Sequence, residues 1–120
     1  QYAGMGKQLY ESSTVFRSEI DQCSELLKNF VAYDIRNILF DEKEQKKLHN
    51  TYYTQPAIFV IEYALARMYV HLGLRPKILI GHSIGEYVAA TLAGVFSLED
   101  GLKVIAKRSQ LMMKATTGSM

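Results

Sequence analysis

Gly81, Ser83 and Gly85 stand at alternate positions in Ile80-Gly81-His82-Ser83-Ile84-Gly85-Glu86, a G-x-S-x-G pattern. Such a pattern carries chemistry where a strand precedes it and a helix comes after, because the serine on that sharp turn is thrust out at the carboxyl end of the strand. Lys77-Ile78-Leu79-Ile80 is short and continuously apolar, as expected of a buried parallel strand. A helix is expected from near Gly85 to Gly94. The two glycines let the backbone bend sharply beside the hydroxyl. Ser83 is therefore the candidate nucleophile. The amide of Ile84, at the start of the helix, is the candidate oxyanion donor, since unpaired N–H groups and the helix dipole favour negative charge there.

A serine hydroxyl needs a base. The chain has 3 histidines, His49, His71 and His82. His82 adjoins Ser83, and adjacent side chains on an extended segment point apart. His71 ends a long helical pattern, and His49 comes after a charged stretch, so both read as surface or structural residues. The nucleophile is present without its base. Arg108 is the second anomaly. Its helical neighbours are Val104, Ile105, Leu111 and Met112, which places a guanidinium among apolar residues. An unpaired buried charge is costly. Arg108 therefore reads either as half of an internal ion pair or as a bidentate clamp for a substrate carboxylate.

The elements that must position these residues are mostly helical. Gln1–Tyr10, with Gly4 and Gly6, reads as a loop entering a short helix. From Ser13, a suitable N-cap, Phe16, Ile20, Cys23, Leu27 and Phe30 form one apolar stripe, which makes Cys23 a buried structural thiol. Ile35, Ile38, Leu39 and Phe40 form a shorter apolar group, and the mixed charges at 41–47 read as a solvated turn or helix end. Thr54 is expected to cap a helix whose early Pro56 costs little. That helix is apolar on most faces and should be largely buried until Gly73 and Pro76 end it. Ser97 with Asp100 suggests the cap of a last helix, with Leu98, Leu102, Ile105 and Met112 inward and Lys103, Lys107, Gln110 and Lys114 outward.

Composition narrows the class. The 120 residues are 48% hydrophobic, with 14 Lys+Arg against 12 Asp+Glu, so a formal charge of +2 argues against nucleic-acid binding. The 8 tyrosines lack an interleaved basic stripe, which argues the same way. No apolar run is long enough to span a bilayer, and no signal-peptide pattern occurs in the chain. One cysteine forms no internal disulfide and no cysteine-rich metal site. Gly4-Met5-Gly6-Lys7 is not a phosphate loop, because Gln8 stands where Ser or Thr is required. A cytoplasmic globular protein without membrane or nucleic-acid partners, bound metal or cofactor is the expectation.

These residues resemble the acyltransferase family of malonyl-CoA:acyl carrier protein transacylases and the acyltransferase domains of polyketide and fatty acid synthases. Gln1-Tyr2-Ala3-Gly4-Met5-Gly6 is similar to the tail of the family's opening motif, and Thr54-Gln55-Pro56-Ala57 to its T-Q-P-A. Gly81-His82-Ser83-Ile84-Gly85-Glu86-Tyr87 matches its G-H-S-x-G-E, and the segment 92–100 is typical of the family's next stretch of chain. The wording around Ser83 is closer to modular polyketide synthase domains. The resemblance implies an α/β-hydrolase-like core, mostly helical in this stretch, with a short parallel strand leading into the nucleophile elbow. It implies that Ser83 takes an acyl group from malonyl-CoA or a related acyl-CoA. The phosphopantetheine thiol of an acyl carrier protein would then receive it, beside neighbouring synthase domains such as a ketosynthase. It also implies that Arg108 grips the free carboxylate of the extender, with Gln55 and His82 lining the substrate site.

The same resemblance makes residues 1–120 the N-terminal part of a larger acyltransferase domain. Its first strand and a glutamine of the oxyanion hole would precede Gln1, and its catalytic histidine would lie beyond Met120. The lone strand, the absent base and the opening without Met agree with that expectation, and the 120 residues alone are expected to be inactive. Two other readings stand beside it. One is a serine hydrolase or thioesterase of α/β-hydrolase type, which needs neither Glu86 nor a carboxylate clamp. The other is a docking module whose Ser83 is never acylated.

Overall fold

The computed structural model describes residues 2–74 and 83–117. Among these, every regular element is a helix. The order is α1 (Tyr2–Ser12), α2 (Thr14–Leu27), α3 (Ile35–Phe40), a 3₁₀ helix (Glu42–His49), α4 (Thr51–His71), α5 (Ser83–Leu92) and α6 (Leu98–Thr117). The expected strand Lys77–Ile80 lies outside the described residues. So do Gly81 and His82. None of the described helices is long and apolar enough to cross a membrane.

Capping side chains set most helix starts. Ser13 accepts from the Phe16 amide at 3.1 Å, Asp34 from Arg36 at 3.0 Å and Ser97 from Asp100 at 3.0 Å. Each satisfies a first-turn donor that has no acceptor within its helix. Two helix ends share one device. Gly73 and Gly94 both take φ of 83°. Behind Gly73, Leu74 N bonds Tyr69 O at 2.9 Å, and behind Gly94, Val95 N bonds Ala90 O at 2.9 Å. These are paired Schellman stops, and the positive φ is why glycine occupies both positions.

α4 is the central helix, packed against α2, α3, α5, α6 and the 3₁₀ helix. Its residues Phe59, Val60, Ile61 and Ala64 meet Phe16, Ile20 and Leu27 of α2 and Leu102 and Ile105 of α6 in one buried cluster. Burying a side chain of this size contributes roughly 1.5–3 kcal/mol. Cys23 is fully buried there, and burial pushes its thiol pKa up, as suits a structural residue. α3 is tied to α2 by Arg36, which reaches Asp34 at 2.7 Å, Glu25 at 2.7 Å and Asp21 at 3.1 Å.

Several expectations are corrected. The loop expected to lead into a short helix near the start of the chain is itself helical from Tyr2, as part of α1. Gly6 lets that helix lie close, since an added Cβ would come within 3.3 Å of Phe40 and 3.6 Å of Ile61, so packing outweighs glycine's poor helix propensity. Asn50, not Thr54, caps α4, its side chain accepting from the Tyr52 amide at 2.9 Å. Pro56 is consequently in the second turn, where its missing amide would have met the Tyr52 carbonyl. The Tyr33 hydroxyl donates to that carbonyl at 3.2 Å instead. α5 begins at Ser83, earlier than Gly85. Along α4, burial persists to Ala66, but Tyr69 and Val70 are exposed. On α6, Met112 is 41% exposed rather than inward, its Sδ accepting from Gln55 Nε2 near the start of α4 instead of packing in the core. Gln110 is half-buried, its amide donating to the Phe30 carbonyl at 3.1 Å.

Candidate functional site

Three mutually packed helices supply the candidate residues: α4 brings Gln55, α5 brings Ser83 and Ile84, and α6 brings Arg108. Ser83 is the first residue of α5 and Ile84 the second. The first amides of a helix lack intrahelical acceptors, so the Ile84 N–H belongs to the set that can receive an anion. Gly85 is buried, and Glu86 lies exposed in the same first turn.

Gln55 and Arg108 are brought together across 53 residues of sequence. Gln55 is only 5% exposed. Its Oε1 accepts from Arg108 Nε at 2.9 Å, while its Nε2 donates to Thr51 Oγ1 at 2.8 Å and to Met112 Sδ at 3.2 Å. Because the guanidinium only donates, Arg108 Nε fixes which end of the amide faces it. The remaining face of the arginine meets an aromatic ring, with Arg108 Cζ 6.0 Å from the centroid of Tyr87 on α5. Tyr87 in turn stacks on Phe96, with centroids 6.4 Å apart and planes 27° apart.

Arg108 is half-buried and sits at the edge of the core rather than within it. Of its expected inward neighbours, Ile105 is buried, but Leu111 is 56% exposed. Arg108 helps to line an open groove of about 810 Å³ with Phe30, Phe96, Lys103 and Lys107, so a solute can reach this part of α6, although Gln55 and Tyr87 are not among the lining residues. His49 and His71 are both exposed at helix ends, as surface histidines would be. His82, expected to line the substrate site, falls outside the described residues. No group of His, Cys, Asp and Glu among the described residues could hold a metal ion.

The sequence reading gave Tyr87 no role at the site. Its signals were its place at the end of the G-H-S-x-G-E match and its spacing, four residues beyond Ser83 and hence one turn along the same helix.

The whole chain, residues 1–120, matches the family model described as acyl transferase domain. A phenolphthiocerol/phthiocerol polyketide synthase polypeptide of Mycobacterium tuberculosis is 38% identical over 120 residues, which is 100% of this chain and 8% of that protein. Among solved structures, the acyl transferase domain of ZmaA matches with a TM-score of 0.85 at 40% identity, covering 95% of this chain and 27% of that one. The malonyl CoA-acyl carrier protein transacylase from Clostridium perfringens matches with a TM-score of 0.79 at 32% identity, covering 96% and 35%. The chain belongs to the acyl transferase domain family. It is homologous to acyltransferase domains of polyketide synthases and to malonyl-CoA:acyl carrier protein transacylases. It spans less than a tenth of the length of the curated relatives it matches.

Proposed function

We propose that this chain is part of an acyltransferase with an α/β-hydrolase-like core that loads a malonyl-type acyl group in polyketide or fatty acid biosynthesis. In the first step the Ser83 hydroxyl attacks the thioester carbonyl of malonyl-CoA or a related acyl-CoA. The new C–O bond forms, the C–S bond breaks, and coenzyme A leaves as its thiol with the proton taken from Ser83. In the second step the phosphopantetheine thiol of an acyl carrier protein attacks the Ser83 ester, and the proton returns to Ser83. The Ile84 amide stabilises the oxyanion in both steps. The base lies outside the described residues. A carrier protein and adjoining synthase domains such as a ketosynthase are the partners. The phosphopantetheine belongs to the carrier, and no cofactor resides in this domain.

The observation that carries this reading is the Arg108–Gln55 pair beside the helix headed by Ser83. A malonyl group differs from an acetyl group by a free carboxylate, and an arginine oriented by a neutral amide is suited to grip one. The family match supports the acyl transfer, and no observation favours hydrolysis. Arg108→Ala in the intact domain tests the reading. Malonyl loading should fall about 100-fold, the worth of roughly two charge-assisted hydrogen bonds, with acetyl loading much less affected. Equal losses on the two thioesters would remove the clamp.

A further inference from the structure

We infer that Tyr87 is a positioning residue that holds the Arg108 guanidinium for a carboxylated acyl group and so helps to set the preference for it. The inference deepens the reading of Arg108 as a clamp and rests on it.

An arginine side chain carries four rotatable bonds, so the plane of its fork is set by the groups around it. The Gln55 acceptor at 2.9 Å from Nε anchors one edge. The ring of Tyr87, with its centroid 6.0 Å from Cζ, presents its electron-rich face to the same cation. The first contact bears on the position of the fork and the second on its roll. The Tyr87 ring itself stacks on Phe96. Residue 87 lies one helical turn beyond residue 83, so the ring contact joins α6 to the helix that Ser83 opens. A guanidinium without the ring keeps its charge and loses one of the groups that orient it, so the penalty should fall on the carboxylated acyl group.

The test compares loading of malonyl-CoA and acetyl-CoA by the full-length protein, read as the ratio of the two kcat/KM values. Tyr87→Leu should lower that ratio by about tenfold, within the roughly threefold to thirtyfold range of cation–π contacts, through KM for malonyl-CoA. Tyr87→Phe should recover most of the ratio, because it keeps the ring face. Should Tyr87→Leu fail to fold, pentafluorophenylalanine at position 87 retains the ring's shape while reversing the charge on its face. It should then lower the ratio as leucine would. In an Arg108→Ala background, Tyr87→Leu should lower the ratio no further. An unchanged ratio in Tyr87→Leu, or in the fluorinated ring, overturns the inference while a collapse in Arg108→Ala leaves the clamp standing. An unchanged ratio in Arg108→Ala overturns clamp and inference alike. A full loss from Tyr87→Leu on top of Arg108→Ala would show that Tyr87 acts by another route.

Discussion

Replacing Gln55 by leucine keeps a side chain of similar size in a position that is only 5% exposed, and it removes three hydrogen bonds at once. The bonds are unequal. The Nε2 contact to Met112 Sδ at 3.2 Å uses a weak acceptor, and Thr51 and Met112 can both turn to water because neither is buried. The bond from Arg108 Nε at 2.9 Å is charge-assisted and carries the main effect, about 1.5–3 kcal/mol. Arg108 is half-buried and recovers part of that from solvent, so the lower end applies. Gln55→Leu should therefore lower kcat/KM for malonyl loading by about tenfold. For acetyl loading the fall should stay under about threefold, the size of a neutral packing change. Rapid-quench loading of the intact domain, with the acyl-enzyme measured by mass, separates the two. A second substitution sharpens the case. Gln55→Glu places a carboxylate where the amide oxygen was, and this ion pair should compete with the substrate carboxylate and lower malonyl loading further than leucine does. Equal losses on both thioesters in Gln55→Leu would show that Gln55 does not act through Arg108.

Tyr33→Phe leaves the Tyr52 carbonyl without the donor that substitutes for the missing Pro56 amide, and it should destabilise the domain by about 1 kcal/mol; an unchanged urea midpoint would count against this. Burial also pushes the Tyr33 phenol pKa above its ordinary value, so the folded state holds that proton more tightly than the unfolded state does. Stability should accordingly fall as pH rises above about 10, and Tyr33→Phe should flatten that alkaline loss in a melting-temperature series. Gly101→Ala would place a Cβ 2.6 Å from Thr91 Oγ1 and 3.1 Å from the Phe59 ring. Overpacking of about 1–3 kcal/mol outweighs the helix-propensity gain of about 1, so the melting temperature should drop by a few degrees; a rise would show that α5 yields freely.

Local signals in the sequence were reliable where one residue decides one geometry. Ser13 and Ser97 cap their helices and Gly73 and Gly94 end theirs, because a side-chain acceptor or a positive φ acts within a few residues. The Cys23 stripe was legible for the same reason, since α2 buries a face of regular period. Thr54 misled because Pro56 reads as a first-turn proline, while the compensating Tyr33 hydroxyl lies 19 residues from the carbonyl it meets. The first turns of α1 were read as loop because the closeness of Gly6 to Phe40 and Ile61 is a tertiary fact. At the site, the spacing around Ser83 and the family resemblance pointed to the correct family. Spacing on α6 placed Arg108 near an apolar face, but it could not supply the Gln55 partner or the Tyr87 ring, which arrive from α4 and α5.

The central claim is that Ser83 carries the acyl group. Incubating the intact domain with malonyl-CoA and fragmenting its peptides by mass spectrometry tests this directly. The adduct should be one malonyl ester on Ser83, lost on adding carrier-protein thiol and absent from Ser83→Ala. Acylation undiminished in Ser83→Ala would contradict the account.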